Sequence, residues 1–187
     1  MERGQITIEM ILIFGLFILL IFTVSFPTAL LGDRNSREVQ IVSDAKFASD
    51  RLATFAASIS NPSEKREVEI YMPGFTSAGN ASNDKPIIWS AMCITSEGSF
   101  LNTSIAIITR TNDGTIVKQE TYSFSKNLGR GNWKTYVNTG SGYSEGVIVE
   151  DRGSKYNISI SWENITSNTV PKYLSLTNCS AVSTLGT

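Results

Sequence analysis

Two helical patterns and a β-rich pattern of apolar and polar positions follow one another along the 187 residues. Residues 10–32 carry no charged side chain. At about 1.5 Å per residue this run predicts a helix of roughly 34 Å, enough to cross a bilayer's hydrocarbon core with some tilt. Over 33–60, apolar residues recur at Val42, Ala45, Ala48 or Ser49, Leu52, Phe55 or Ala56, and Ile59. That is the spacing of an amphipathic helix with one narrow apolar stripe. Arg37, Glu38, Lys46, Asp50 and Arg51 fall between the stripe positions and suit a water-facing side. Pro27 removes a backbone donor and predicts a kink. Residues 6–60 therefore read as one bent helix or as two helices nearly in line. Asn61-Pro62 ends the pattern, because the residue before a proline is biased away from helical angles.

From residue 61 onward, β-branched and aromatic residues come in short runs between turn signals. The runs predict eight strands, at 67–72, 87–95, 101–110, 115–124, 133–138, 146–150, 156–163 and 172–177. Tyr156, Ile158, Ile160 and Trp162 alternate with Asn157, Ser159 and Ser161, the period of a half-buried strand. Asn112-Asp113-Gly114 predicts a hairpin, Asp151-Arg152-Gly153-Ser154 a turn and Gly140-Ser141-Gly142 a loop. The expected class is α+β: a long N-terminal hydrophobic helix followed by an antiparallel β-sandwich head.

Composition removes several function classes. The net charge of −1 gives no basic patch for nucleic acid. The chain has no histidine, which excludes histidine-based triads, general bases and metal ligands. No glycine-rich phosphate loop, calcium loop or nucleophile elbow stands in its proper context, and Gly129-Arg130-Gly131 reads as a loop. A Ser-Lys dyad is left open, but no catalytic residue, cofactor or metal is expected. Cys93 and Cys179 are too few and too far apart for a zinc framework. They read as one disulfide closing a long loop, or as two buried free thiols. Sequons begin at Asn80, Asn102, Asn157, Asn164 and Asn178, all after the helical region. They point to an outside location if glycosylated, although a Ser/Thr/Asn-rich segment also produces sequons by chance. Trp89, Trp133 and Trp162 read as core packing or as a carbohydrate-binding surface.

The start of the chain is the most specific feature. Gln5, Thr7, Glu9 and Ile13 follow the four residues Met1-Glu2-Arg3-Gly4 and open the apolar run. Their spacing resembles the archaeal class III signal peptide of type IV pilins, Q-x-S-x-E-x-x-x-L. Thr replaces Ser and keeps the hydroxyl; Ile replaces Leu and keeps an aliphatic group. The resemblance implies a pilin-like fold, with a leader at 1–4, a helix at 5–60 and a β-rich domain at 61–187. In that helix, 10–32 would be the membrane or filament core and 33–60 the amphipathic part. It also implies cleavage between Gly4 and Gln5 by a prepilin peptidase. Glu9 would then pair with the new amine of a neighbouring subunit, or serve only as a recognition element for the peptidase. Ile13, Leu16, Leu20 and Val24 are the apolar positions expected to carry assembly.

The function implied is a structural subunit of an archaeal type IV pilus-like filament, used for surface adhesion. The precursor would be membrane-inserted and the filament extracellular. Identical subunits in a homopolymer are the expected partners, with an S-layer or other cell surface as a further contact. The competing reading is a membrane-anchored binding module, or an accessory subunit of the archaellum, that does not polymerise. A cleaved secretory peptide ending near Ser25-Phe26-Pro27-Thr28-Ala29 is a third, because small residues there resemble a cleavage site.

Overall fold

The computed structural model describes residues 2–74, 87–95, 97–110, 115–150, 153–171 and 173–175, with backbone alone at 2–8, 24, 26–31, 33–35, 110, 147, 149, 150 and 173–175. The chain divides into two compact units, Met1–Gln40 and Ile41–Thr187. The division falls inside a helix, whose second half packs with the strands that follow it.

The first unit is helical. Helix α1 spans Glu2–Leu20, a π-helical turn follows at Ile21–Ser25, and α2 runs over Phe26–Ser58. The irregular turn has a local cause. Pro27 has no N–H to give the carbonyl of Thr23, and in an α-helix its ring would crowd that carbonyl. Widening the preceding turn to the π pattern relieves both problems. The Thr23 hydroxyl donates to the Leu19 carbonyl at 2.8 Å and lies 3.4 Å from the Leu20 carbonyl.

The expected single apolar helix of membrane length is corrected here. In α1 the uncharged stretch begins after Glu9 and stops with the helix at Leu20. Those residues rise only ~16 Å, about half a hydrocarbon core. After the π turn, α2 soon reaches Asp33, Arg34, Arg37 and Glu38. Among the described residues no helix is long and apolar enough to cross a membrane. The long hydrophobic helix of the expected fold class, the transmembrane segment at 10–32 and the membrane-inserted precursor are all corrected by this finding.

The second unit is two five-stranded sheets with the end of α2. The strands are β1 Lys65–Met72, β2 Ile87–Ile94, β3 Phe100–Arg110, β4 Ile116–Asn127, β5 Lys134–Asn138, β6 Tyr143–Glu145, β7 Val147–Glu150, β8 Ser154–Ser161, β9 Asn164–Ser167 and β10 Tyr173–Ser175. One sheet has the order β1-β8-β9-β5-β6 and the other β10-β7-β2-β3-β4. All eight expected strands overlap observed ones; β6 and β9 are additional. The all-antiparallel expectation is also corrected, because β5 and β9 pair in parallel. The other pairings are antiparallel, including β3 with β4, whose expected hairpin tip at 112–114 lies outside the described residues.

The core shows why α2 ends as it does. Ala48, Leu52, Ala53, Ala56 and Ile59 pack with Val68, Ile70 and Met72 of β1, Tyr156, Ile158 and Ile160 of β8, and Met92, Leu101 and Ile148 of the other sheet. The small alanines let the helix approach the strands closely, while Leu52 and Ile59 contribute roughly 1.5–3 kcal/mol each by burial. Val42 and Phe55 are half-buried at the stripe's margin. After Ser58, Asn61-Pro62 turns the chain. Glu64 then ties the turn together: its carboxylate accepts from the Ser60 N–H at 3.2 Å and from Arg66 Nε at 2.8 Å.

Candidate assembly surface

Residues 9–23 and Ser25 of the first unit are open to solvent. Twelve large apolar side chains between Met10 and Phe22 are 41% to 68% exposed. Ile13, Leu16 and Leu20 belong to this set; Val24 is described by its backbone alone. The exposed positions are nearly consecutive, so they surround the helix rather than form one stripe. Gly15 adds a flat spot, with no atom within 4 Å of where a Cβ would stand.

This surface has no acid–base chemistry to offer. What it offers is area. Full burial of a Leu, Ile, Phe or Met side chain stabilises by roughly 1.5–3 kcal/mol. Covering even half of twelve such side chains is on the order of the ~4–15 kcal/mol that association costs in lost freedom. Glu9 is exposed at the start of the apolar surface. Gly4 and Gln5 lie in the first turns of α1, within its helical backbone.

The other expected site residues are dispersed over the second unit. Cys93 is buried in β2 and disulfide-bonded; Cys179 lies outside the described residues. Asn157 is exposed on β8, whereas Asn102 on β3 and Asn164 on β9 are half-buried within strand ladders. Asn80 and Asn178 lie outside the described residues. Trp133 is buried, Trp162 packs partly buried against the core and Trp89 is half-buried in β2. The three rings therefore do not form an open platform for a sugar.

Among the described residues no group of three or more Cys, Asp or Glu side chains is arranged to hold a metal ion. A small groove of about 190 Å³ in the second unit is lined by Asp44, Phe47, Ala48, Arg51, Glu69, Ile70 and Tyr71. It mixes both charges with two aromatic rings and contains no nucleophile–base pair. Sequence reasoning passed over one cluster, the stacking of Arg130 on Trp133 and Trp162. Its only signal was the pair of glycines flanking Arg130, which says loop and nothing more. In comparisons with known proteins, no family model, no curated protein and no solved structure matches the chain.

Proposed function

We propose that this chain is a structural subunit of an archaeal type IV pilus-like filament, polymerising through α1 and serving surface adhesion. The observation that carries this reading is the apolar surface on all sides of α1. A helix with one apolar stripe is completed by a single neighbour, but a helix apolar all round has to be enclosed. Copies of the same helix packed about a common axis enclose one another, and a head-to-tail contact that does not close into a ring grows as a helical polymer.

The start of the chain supports the same reading. Cleavage between Gly4 and Gln5 by a prepilin peptidase would remove Glu2 and Arg3, two charges that are costly to bury in a bundle of apolar helices. It would also expose the amine of Gln5 near the carboxylate of Glu9 in a neighbouring subunit. Such a partly buried pair sets register more than it adds stability, since desolvation offsets much of the attraction. The second unit, with its polar strand faces, would then supply the adhesive contacts.

The test is mass spectrometry of the N-terminal peptide from material sheared off cells and pelleted, with electron microscopy of the same pellet. A peptide beginning at Gln5 in filaments that contain this chain is the expected result. A chain still beginning at Met1, with no filament in the pellet, would sink the proposal.

A further inference from the structure

The loop between β4 and β5 is clamped at both ends. The Leu128 N–H donates to the Ser99 carbonyl at 2.9 Å, and the Trp133 N–H donates to the Gly98 carbonyl at 3.0 Å. Gly98 adopts φ 65°, and a Cβ there would stand 2.6 Å from the Asn132 backbone, so only glycine permits this approach. Gly129 has φ 85° and donates its N–H to Asn127 Oδ1 at 2.7 Å. On the far side, Lys134 N–H donates to the Glu163 carbonyl at 2.8 Å, which ties the start of β5 to the tight β8–β9 turn bearing Trp162. These fixed backbones bring Arg130 onto two indoles. Its guanidinium carbon lies 3.6 Å from the ring centroid of Trp162 and 5.0 Å from that of Trp133.

Stacking satisfies the faces of a guanidinium and leaves its edges, where the N–H groups point. Arg130 Nε and Nη2 are buried and have no hydrogen-bond partner among the described residues. Those two nitrogens form one side of the guanidinium, with parallel N–H bonds at the spacing of a carboxylate's two oxygens. Trp133 Nε1, in a ring only 2% exposed, is a third buried donor of the cluster without a partner. Buried donors left unpaired are costly, and here all three unpaired groups are donors. The rings themselves are not free to stack on a neutral sugar, because Trp162 carries Arg130 on its face and Trp133 is enclosed.

We infer that Arg130, framed by Trp133 and Trp162, is a binding site for a carboxylate, held two-pronged by Arg130 Nε and Nη2 with Trp133 Nε1 as an auxiliary donor. The guanidinium has no ion pair or hydrogen bond to a described residue, so an incoming carboxylate displaces no competing anion from its edge. Gly129 and Asn132 are exposed, so the loop borders solvent beside Arg130. The site lies in the second unit and does not depend on polymerisation.

The experiment is titration of the full-length chain at constant ionic strength, using acetate, glucuronate, sulfate and glucose as probes. Tryptophan fluorescence and melting temperature are the two readouts. Acetate and glucuronate should give a saturable change in emission and a higher melting temperature; tighter glucuronate would identify a uronic sugar as the carboxylate's source. Arg130→Lys keeps the charge but loses the fork, and should weaken binding about tenfold or more. Arg130→Gln should abolish the response, and Trp133→Phe should weaken it several-fold while conserving the ring's bulk. Lack of any saturable carboxylate response, or an equal response in a folded Arg130→Gln variant, would overturn the inference. Sulfate binding as tightly as acetate would overturn the assignment to a planar carboxylate.

Discussion

Thr103 illustrates how a single polar atom sets a local cost. It lies fully buried in β3, opposite Met92 and Phe124, and its hydroxyl has no hydrogen-bond partner among the described residues. Valine has nearly the same shape and no hydroxyl to desolvate. Thr103→Val should therefore raise stability by about 1 kcal/mol, read as a higher urea midpoint with an unchanged slope. Glu64 makes the opposite case, a carboxylate that is only half-buried and well partnered. The Arg66 guanidinium, at 2.8 Å and 2.7 Å, is the largest cause that holds its carboxyl below the usual carboxylate range, and the Ser60 N–H adds to it. A folded-state value below the unfolded one means that the contribution is present above the unfolded pKa. It is lost as pH falls through the folded value. In Arg66→Ala the Glu64 titration should move up toward that of an ordinary glutamate, measured by carboxyl chemical shift against pH.

Among the elements, the π turn between α1 and α2 has the clearest single-residue origin. Pro27→Ala restores an N–H that can donate to the Thr23 carbonyl and removes the ring that crowds it. The expected outcome is regular α-helical bonding through 21–25 in the variant's structure, with helix propensity improved by about 3 kcal/mol at that position. Persistence of the π turn without the proline would assign its origin elsewhere. The long edge strand β4 shows a different device. Its open side is guarded by Lys118, Glu120 and Lys126, with Lys118 and Glu120 paired at 2.9 Å and Lys126 reaching Asp50 of α2 at 2.6 Å. Exposed pairs of this kind add little stability, but charges along an edge discourage pairing with another sheet.

For the molecule as a whole, the two units separate two physical tasks. The first exposes apolar area and the second buries it. A charge placed on the first should therefore affect assembly and leave the second unit's core intact. Leu16→Glu is the test, since Leu16 is 66% exposed and is not one of the residues that form the core. Sedimentation should show loss of the polymer, while the cooperative unfolding of the second unit stays within about 0.5 kcal/mol of the parent. If the variant still pelleted as filaments, the apolar surface of α1 would not be what drives assembly.

How far these features can be read before folding depends on how local their causes are. The amphipathic stripe of α2, the break at Asn61-Pro62 and the places of eight strands follow from period and turn chemistry, which act over a few neighbouring residues. The apolar character of 10–22 is equally local, but its subdivision is not read from hydropathy: the π turn at Ile21–Ser25 depends on backbone bonding around Pro27. Strand β9 lies beyond the expected run at 156–163, because Trp162-Glu163 carries no turn signature to announce a hairpin, although Glu163 takes φ 58° there. Its parallel pairing with β5 joins residues about thirty apart, a distance over which no periodicity operates. The stacking of Arg130 on Trp162 belongs to the same class. Those contacts exist because two clamped loops from distant parts of the chain are held side by side by the sheets, and a residue's immediate neighbours carry no record of that.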